Sequence, residues 1–148
     1  MWRVAEATDD EAIVDLCLRL YAEDPGTGQV PAGNIRQTLA VLRREPWRGR
    51  ALVLDIQSRI AGYALLISFW SNEFGGEVCM VDELFVVPEH RGRGYATSLF
   101  SDVTQGGLWP TPIAAMALCV TPGNVRARRL YEGLGFAAVG SFMVRRIP

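Results

Sequence analysis

The chain has 148 residues, of which 49% are apolar and 21% charged, with a formal net charge of −1. This length and composition predict one globular domain over residues 1–148, and the near-neutral charge excludes a general attraction to nucleic acid or anionic lipid. All fifteen basic residues are arginine, which excludes a phosphate-loop lysine and a Schiff-base lysine. The single histidine, His90, excludes multi-histidine metal centres, so no metal is expected.

Neither the cysteines nor the apolar runs indicate a secreted or membrane-bound protein. The three cysteines, Cys17, Cys79 and Cys119, are odd in number and far apart, so they fit neither a disulfide framework nor a zinc site. No apolar stretch approaches the roughly 20 residues that a membrane-spanning helix needs. These observations favour a reducing, cytoplasmic setting.

The N-terminal third predicts a short strand followed by two helices. The strand covers residues 2–6. Thr8 and Glu11 have the spacing of a capping box, and apolar residues at helical intervals follow them. A second helix is predicted from about Asn34 to the residues before Pro46.

The middle of the chain predicts three consecutive strands, at residues 50–56, 60–70 and 77–87. Short polar or glycine-rich turns separate them, which indicates an antiparallel meander. The strands are apolar almost without interruption, so we expect helices to cover both faces of the sheet.

The last third predicts two more helix–strand pairs. An amphipathic helix begins after Gly94, and a buried strand covers residues 113–120. Asn124 is a good cap for a helix that ends at Gly135, and a final strand is predicted over 137–145. The order β-α-α-β-β-β-α-β-α-β predicts an α/β fold with a mixed, mostly antiparallel central sheet flanked by helices.

The segment after the third strand of the meander predicts an anion site. A helix that begins near Gly94 leaves its first N–H groups without internal partners and carries partial positive charge there. Glycine at 92 and 94 lets a ligand approach the backbone, and Arg91 and Arg93 add positive charge. A phosphate or pyrophosphate is the natural ligand for such a loop.

Two other interpretations of this loop are weaker. A dinucleotide fingerprint requires a third glycine where Thr97 stands, and it also requires a βαβ start that the antiparallel strands do not provide. A simple helix entry with tolerated glycines explains the local sequence without any ligand.

Two blocks of the sequence resemble the cofactor motifs of the GNAT N-acetyltransferases. The first block is Arg91-x-x-Gly94-x-Ala96, directly after Glu83-Leu84-Phe85-Val86-Val87-Pro88. It resembles the family pattern R/Q-x-x-G-x-G/A. The second block is Asn124-x-x-Ala127-x-x-Leu130-Tyr131-x-x-x-Gly135-Phe136. It resembles N-x-x-A-x-x-L-Y-x-x-x-G-F, and the predicted strand order extends the resemblance to the whole chain.

The resemblance implies acetyl-CoA as cosubstrate. Strand backbone would pair with the pantetheine arm, N–H groups of the glycine-containing loop would hold the pyrophosphate, and the second block would add pantetheine contacts. The residues implied in cofactor binding are Leu84, Phe85, Val86, Arg91, Gly92, Arg93, Gly94, Tyr95, Ala96, Thr97, Asn124 and Ala127.

Acetyl transfer to an amine needs a group that accepts a proton from the ammonium and a group that returns one to the departing thiolate. Asp82 and Glu83 are candidates for the first role, and the resemblance places catalytic carboxylates at this point of the chain. Adjacent strand residues face opposite sides unless a bulge intervenes, so the choice between the two stays open. The resemblance makes Tyr131 the general acid, and the alternative is a core tyrosine.

The predicted function is direct, acetyl-CoA-dependent acetylation of a primary amine of a small molecule or peptide. The alternative is a non-catalytic acyl-CoA-binding module with the same fold. The two adjacent acids lean slightly towards a cationic small molecule. The fold commonly dimerises, so a homodimer is a further expectation, whereas no nucleic-acid or membrane partner is expected.

Overall fold

A computed structural model of the chain describes residues 1–26, 28–110 and 112–148. The four α-helices are α1 (Asp10–Glu23), α2 (Ala32–Arg44), α3 (Tyr95–Thr104) and α4 (Val125–Gly133). The five strands are β1 (Trp2–Val4), β2 (Gly49–Ile56), β3 (Arg59–Ser71), β4 (Gly76–Val86) and β5 (Ala115–Leu118). Two compact units result: Met1–Leu118 holds the whole sheet with α1 to α3, and Cys119–Pro148 holds α4.

The strands form one mixed sheet in the order β1-β2-β3-β4-β5. Neighbours from β1 to β4 run antiparallel, and β5 runs parallel to β4. The predicted meander is therefore confirmed, and each of its three strands begins and ends within one residue of the predicted bounds. The predicted fold class, a mostly antiparallel sheet flanked by helices, is also confirmed.

The core lies on both faces of the central strand. Residues 61–66 of β3 are all buried. Helices cover the sheet here, as the apolar sequence predicts. In the unit Met1–Leu118, α1 contacts β3 and β4, and α2 contacts β2. These contacts bring the second half of α1 beside the middle of β4, where the candidate acids lie.

The N-terminus of the first helix differs from the prediction. A short 3₁₀ turn, Ala7–Asp9, precedes α1, and Asp9 rather than Thr8 makes the capping contact, accepting the Glu6 N–H at 2.8 Å. The Arg3 guanidinium also binds Asp9, at 2.8 and 3.0 Å, and lowers the pKa of that carboxyl. An ion pair with a residue six positions earlier accompanies this contact, and the spacing of Thr8 and Glu11 does not reveal it.

The final predicted strand, residues 137–145, is absent, because the structure shows no regular element after α4. Its apolar side chains are exposed, including 97% of Val139 and 90% of Met143. A strand requires a partner backbone, and the unit Cys119–Pro148 contains no other strand among its residues. That residues 1–148 act as one domain stays a prediction.

Across residues 1–26, 28–110 and 112–148, no helix is both long and apolar enough to cross a bilayer.

Candidate functional site

A β-bulge in β4 separates the two candidate acids. Leu65 of β3 pairs with Glu83, but the next residue, Leu66, pairs with Val81, so Asp82 has no partner in the register. Such an extra residue re-aims the side chains around it. The bulge that the sequence analysis left open is therefore present. Glu83 faces α1, whereas Asp82 is exposed.

Three side chains surround the carboxylate of Glu83 and donate hydrogen bonds to it. The Tyr21 hydroxyl lies 2.9 Å from Oε1, the Tyr63 hydroxyl 2.8 Å from Oε2, and the Cys17 thiol 3.4 Å from Oε2. Tyr63 is completely buried and Cys17 almost so, whereas Tyr21 and Glu83 are half-buried. We call these four residues the Glu83 cluster.

The donors of the Glu83 cluster stay protonated at neutral pH. Burial, followed by the charge of Glu83, raises the pKa of both tyrosines above the ordinary tyrosine value. Burial also raises the pKa of Cys17 to about 12. Because all three groups keep their protons, they hold Glu83 as a hydrogen-bond acceptor in a fixed orientation.

Asp82 lies in a different environment. Desolvation by the surrounding chain, and then the charge of Glu83, raise the pKa of Asp82, although much of its area is exposed. No group of three or more His, Cys, Asp or Glu side chains that could hold a metal ion occurs in the described part of the chain.

Cys17, Tyr21 and Tyr63 were not predicted as site residues. Two signals could have indicated them. Cys17 and Tyr21 are four residues apart and therefore share one face of α1. Tyr63 places a hydroxyl in an otherwise apolar buried strand, and a buried tyrosine hydroxyl usually finds a hydrogen-bond partner.

The glycine loop, residues 91–97, leaves its backbone open. Gly92 and Gly94 have φ angles of 72° and 81°, in the left-handed region that favours glycine, and a Cβ at either position would meet nothing within 4 Å. Among the residues that the structure describes, the N–H groups of 92–97 have no hydrogen-bond partner. This loop and the start of α3 therefore have the open donors that an anion requires.

The side chain of Arg91 is already engaged. Its guanidinium donates to both carboxylate oxygens of Glu23 at 2.7 and 2.8 Å, its Nε donates to the Val86 carbonyl at 2.7 Å, and it lies over the ring of Phe85. Arg91 therefore joins the end of α1 to the end of β4. The Arg93 side chain, by contrast, is exposed and donates only to the Glu89 carbonyl among the described residues, at 3.1 Å.

Beyond the bulge, one edge of β4 is free of its parallel neighbour, since β5 pairs only with Val78–Val81. The Val87 N–H donates to Ala61 of β3 at 2.9 Å, so alternation along the strand turns the backbone groups of Phe85 towards β3 as well. The backbone N–H and C=O groups of Leu84 and Val86 then point to the other edge of β4. Of the three residues predicted to pair with a pantetheine arm, these two have the appropriate direction, and Val86 offers its N–H because its carbonyl accepts from Arg91 Nε.

The second predicted cofactor block lies in the unit Cys119–Pro148. Asn124 caps α4, as predicted, by accepting the Ala127 N–H at 3.1 Å. Tyr131 is half-buried and packs edge-on against Phe136, with ring centroids 5.9 Å apart. Burial raises the pKa of Tyr131, and the charge of Arg126 opposes this effect.

Comparison with known proteins places this arrangement in a family. Solved structures with the same fold include a possible acetyltransferase from Clostridium difficile 630, with 20% identity, a TM-score of 0.82, and coverage of 100% of this chain and 97% of that one. They also include a ribosomal-protein-alanine N-acetyltransferase from Brucella melitensis biovar Abortus 2308, with 21% identity, a TM-score of 0.71 and 99% coverage of both chains. A search of curated proteins found no match. The family model for the acetyltransferase (GNAT) family matches residues 18–136, and the chain therefore belongs to the GNAT acetyltransferase family.

Proposed function

We propose that the protein is an acetyl-CoA-dependent N-acetyltransferase that moves the acetyl group directly to a primary amine of a small molecule or peptide, with residues 1–148 acting as one domain. The observation that supports the proposal is the row of open N–H groups at residues 92–97, which lies in the block that resembles the family's first cofactor motif. Backbone donors at a helix start are well suited to a diphosphate.

The residues of the first unit fit the cosubstrate. Gly92 and Gly94 leave room for phosphate oxygens beside the backbone, and the free edge of β4 at Leu84 and Val86 suits an extended amide-containing arm. The N–H groups of Arg93, Tyr95, Ala96 and Thr97 complete the donor row, and the family pattern adds Asn124 and Ala127. Acetyl-CoA would supply the activated acyl group as a thioester.

Two side chains would manage the protons. Glu83 accepts a proton from the bound ammonium, so that the nitrogen lone pair can attack the acyl carbon as the C–S bond breaks. Tyr131 gives its phenolic proton to the departing sulfur and recovers a proton from the acylated nitrogen. Burial raises the pKa of Tyr131, so the phenol is protonated at neutral pH and is a weaker acid than a free tyrosine.

Transfer would proceed without a covalent enzyme intermediate. Burial raises the pKa of Cys17 and of Cys79 to about 12, so neither forms the thiolate that a nucleophilic cysteine needs. Direct attack by the amine at the Glu83 cluster is therefore the proposed route.

The test is a thiol-release assay with acetyl-CoA and a panel of amines: spermidine, kanamycin, amino-acid amides and an alanyl tripeptide. The peptide is included because one structure with this fold is a ribosomal-protein-alanine N-acetyltransferase. Calorimetry on the same protein measures acetyl-CoA uptake. Amine-dependent thiol release with micromolar uptake is the expected result. Absence of both would refute the proposal, and uptake without turnover for any amine would favour the non-catalytic acyl-CoA-binding module.

A further inference from the structure

The geometry of the Glu83 cluster points to one binding position for the acceptor nitrogen. We infer that a primary ammonium binds between Oε1 of Glu83 and the hydroxyl oxygen of Tyr21, while Tyr63 and Cys17 act as positioning residues for Glu83. This inference rests on the proposed N-acetyltransferase function and assigns the acceptor end of the same site.

Hydrogen-bond capacity selects the oxygen. An ionised carboxylate has about four lone-pair positions, two on each oxygen. Oε2 already accepts from Tyr63 at 2.8 Å and from Cys17 at 3.4 Å, whereas Oε1 accepts only from Tyr21 at 2.9 Å. One further donor therefore has a place on Glu83, and that place is on Oε1.

Tyr21 supplies the second acceptor. Its hydroxyl donates a hydrogen bond to Glu83, and the lone pairs of the phenolic oxygen can accept a hydrogen bond from another group. Tyr21 and Glu83 are half-buried residues, whereas Tyr63 and Cys17 have exposed fractions of 0% and 1%. The less buried side of the cluster thus pairs a carboxylate with a phenolic hydroxyl.

This pair of acceptors fits an unhindered primary ammonium. An R–NH₃⁺ group has three N–H donors, so it can bind both oxygens and still has a third N–H. Asp82, adjacent in β4, adds negative charge that favours a cation. The predicted acceptors are therefore positively charged primary amines rather than neutral alcohols or thiols.

Tyr63 and Cys17 fix the orientation of Glu83 from the buried side of the cluster. Their donors come from β3 and α1, and both residues are held by the packed core, so the Oε2 end of the carboxylate cannot turn away. The titratable groups around Glu83 are Cys17 and Tyr21 from α1, Tyr63 from β3 and Asp82 from β4. Removal of either donor would leave the carboxylate free to turn.

The experiment compares Tyr21→Phe and Tyr63→Phe in thiol release with the best amine of the panel, measured from pH 5 to 9. Tyr21→Phe should raise the KM for the amine at least tenfold, because a hydrogen bond to a charged group is lost. Tyr63→Phe should instead lower kcat at least fivefold and leave the KM for the amine within about twofold, because the carboxylate is no longer held in one orientation. Both variants should keep the wild-type affinity for acetyl-CoA by calorimetry.

Two further variants calibrate these effects. Cys17→Ala should lower kcat by less than Tyr63→Phe, because a thiol is a weak donor and its contact is the longest of the three. Thr38→Ala removes an exposed hydroxyl of α2, which bonds only the Asn34 carbonyl in the described structure, and should leave all parameters unchanged.

The outcomes separate this inference from the function on which it rests. If the wild type acetylates an amine but Tyr21→Phe keeps the wild-type KM and Tyr63→Phe keeps the wild-type kcat, the binding position is wrong and the function stands. If the wild type takes up no acetyl-CoA and acetylates none of the amines, both fail together.

Discussion

In the Glu83 cluster, side chains from α1, β3 and β4 converge on one carboxylate and satisfy most of its hydrogen-bond capacity. The glycine loop follows the same strand, β4. There the two glycines carry no side chain over the backbone, and the N–H groups of residues 92–97 stay open. The first region is a preorganised hydrogen-bond acceptor, whereas the second is a preorganised set of hydrogen-bond donors.

This difference indicates how the two substrates are recognised. A diphosphate needs only backbone donors and room, and these depend on conformation rather than on side-chain identity. An amine needs a particular carboxylate held in a particular direction, which depends on residues such as Tyr21 and Tyr63. We therefore expect substitutions in the cluster to change turnover and acceptor use, and substitutions in the loop to change acetyl-CoA affinity.

The largest expected effect is that of Glu83→Gln. The amide cannot accept the ammonium proton, so kcat/KM for the amine should fall about a hundredfold or more. Asp82→Asn is the matched comparison, and its effect should be several times smaller because Asp82 is exposed at the bulge. Thiol-release kinetics measure both variants, and a larger loss for Asp82→Asn would reverse the roles of the two acids.

Tyr131→Phe tests a residue outside both regions. The ring contact with Phe136 is kept while the acidic proton is lost, so kcat should fall at least tenfold. Calorimetry should show the wild-type affinity for acetyl-CoA. Unchanged turnover would remove Tyr131 from the mechanism and leave both regions as described.

Gly94→Ala tests the glycine loop. A Cβ at φ 81° introduces strain of about 1–2 kcal/mol and occupies the open space beside the N–H groups, so the Kd for acetyl-CoA should rise about tenfold. Gly75→Ala is the control, since Gly75 has a φ of 62° and equal room in the β3–β4 turn. Both variants should lose similar stability in urea unfolding. Equal affinities for acetyl-CoA would show that the loop does not bind it.

The smallest effect is expected at the ion pair between the two regions. Because the Arg91 guanidinium is engaged by Glu23, Arg91→Gln and Glu23→Gln should each change the Kd for acetyl-CoA by less than about threefold, as is usual for a partly exposed pair. A tenfold or greater loss confined to Arg91→Gln would mean that this side chain binds phosphate itself, and would make the two regions less distinct.

Local patterns predicted well wherever the structure depends on local geometry. The three meander strands, the start of α3 after Gly94 and the cap at Asn124 all follow from hydrophobic period and turn chemistry. The strand over 137–145 was predicted from an equally clear apolar pattern, but a strand needs a partner that the pattern does not specify. Asp9, which also binds Arg3 of β1, takes the place of Thr8 as the capping residue.

By itself, the sequence determined the mixed sheet, the glycine-rich helix start and the two motifs of the GNAT family, because each is written in residues that are close along the chain. Only the tertiary structure decided that a bulge isolates Asp82, that Arg91 binds Glu23, and that Cys17, Tyr21 and Tyr63 meet at Glu83. The physical reason is distance along the chain: the side-chain contacts join residues separated by 20 to 68 positions, and pairing of β3 with β4 and packing of α1 against the sheet bring them together.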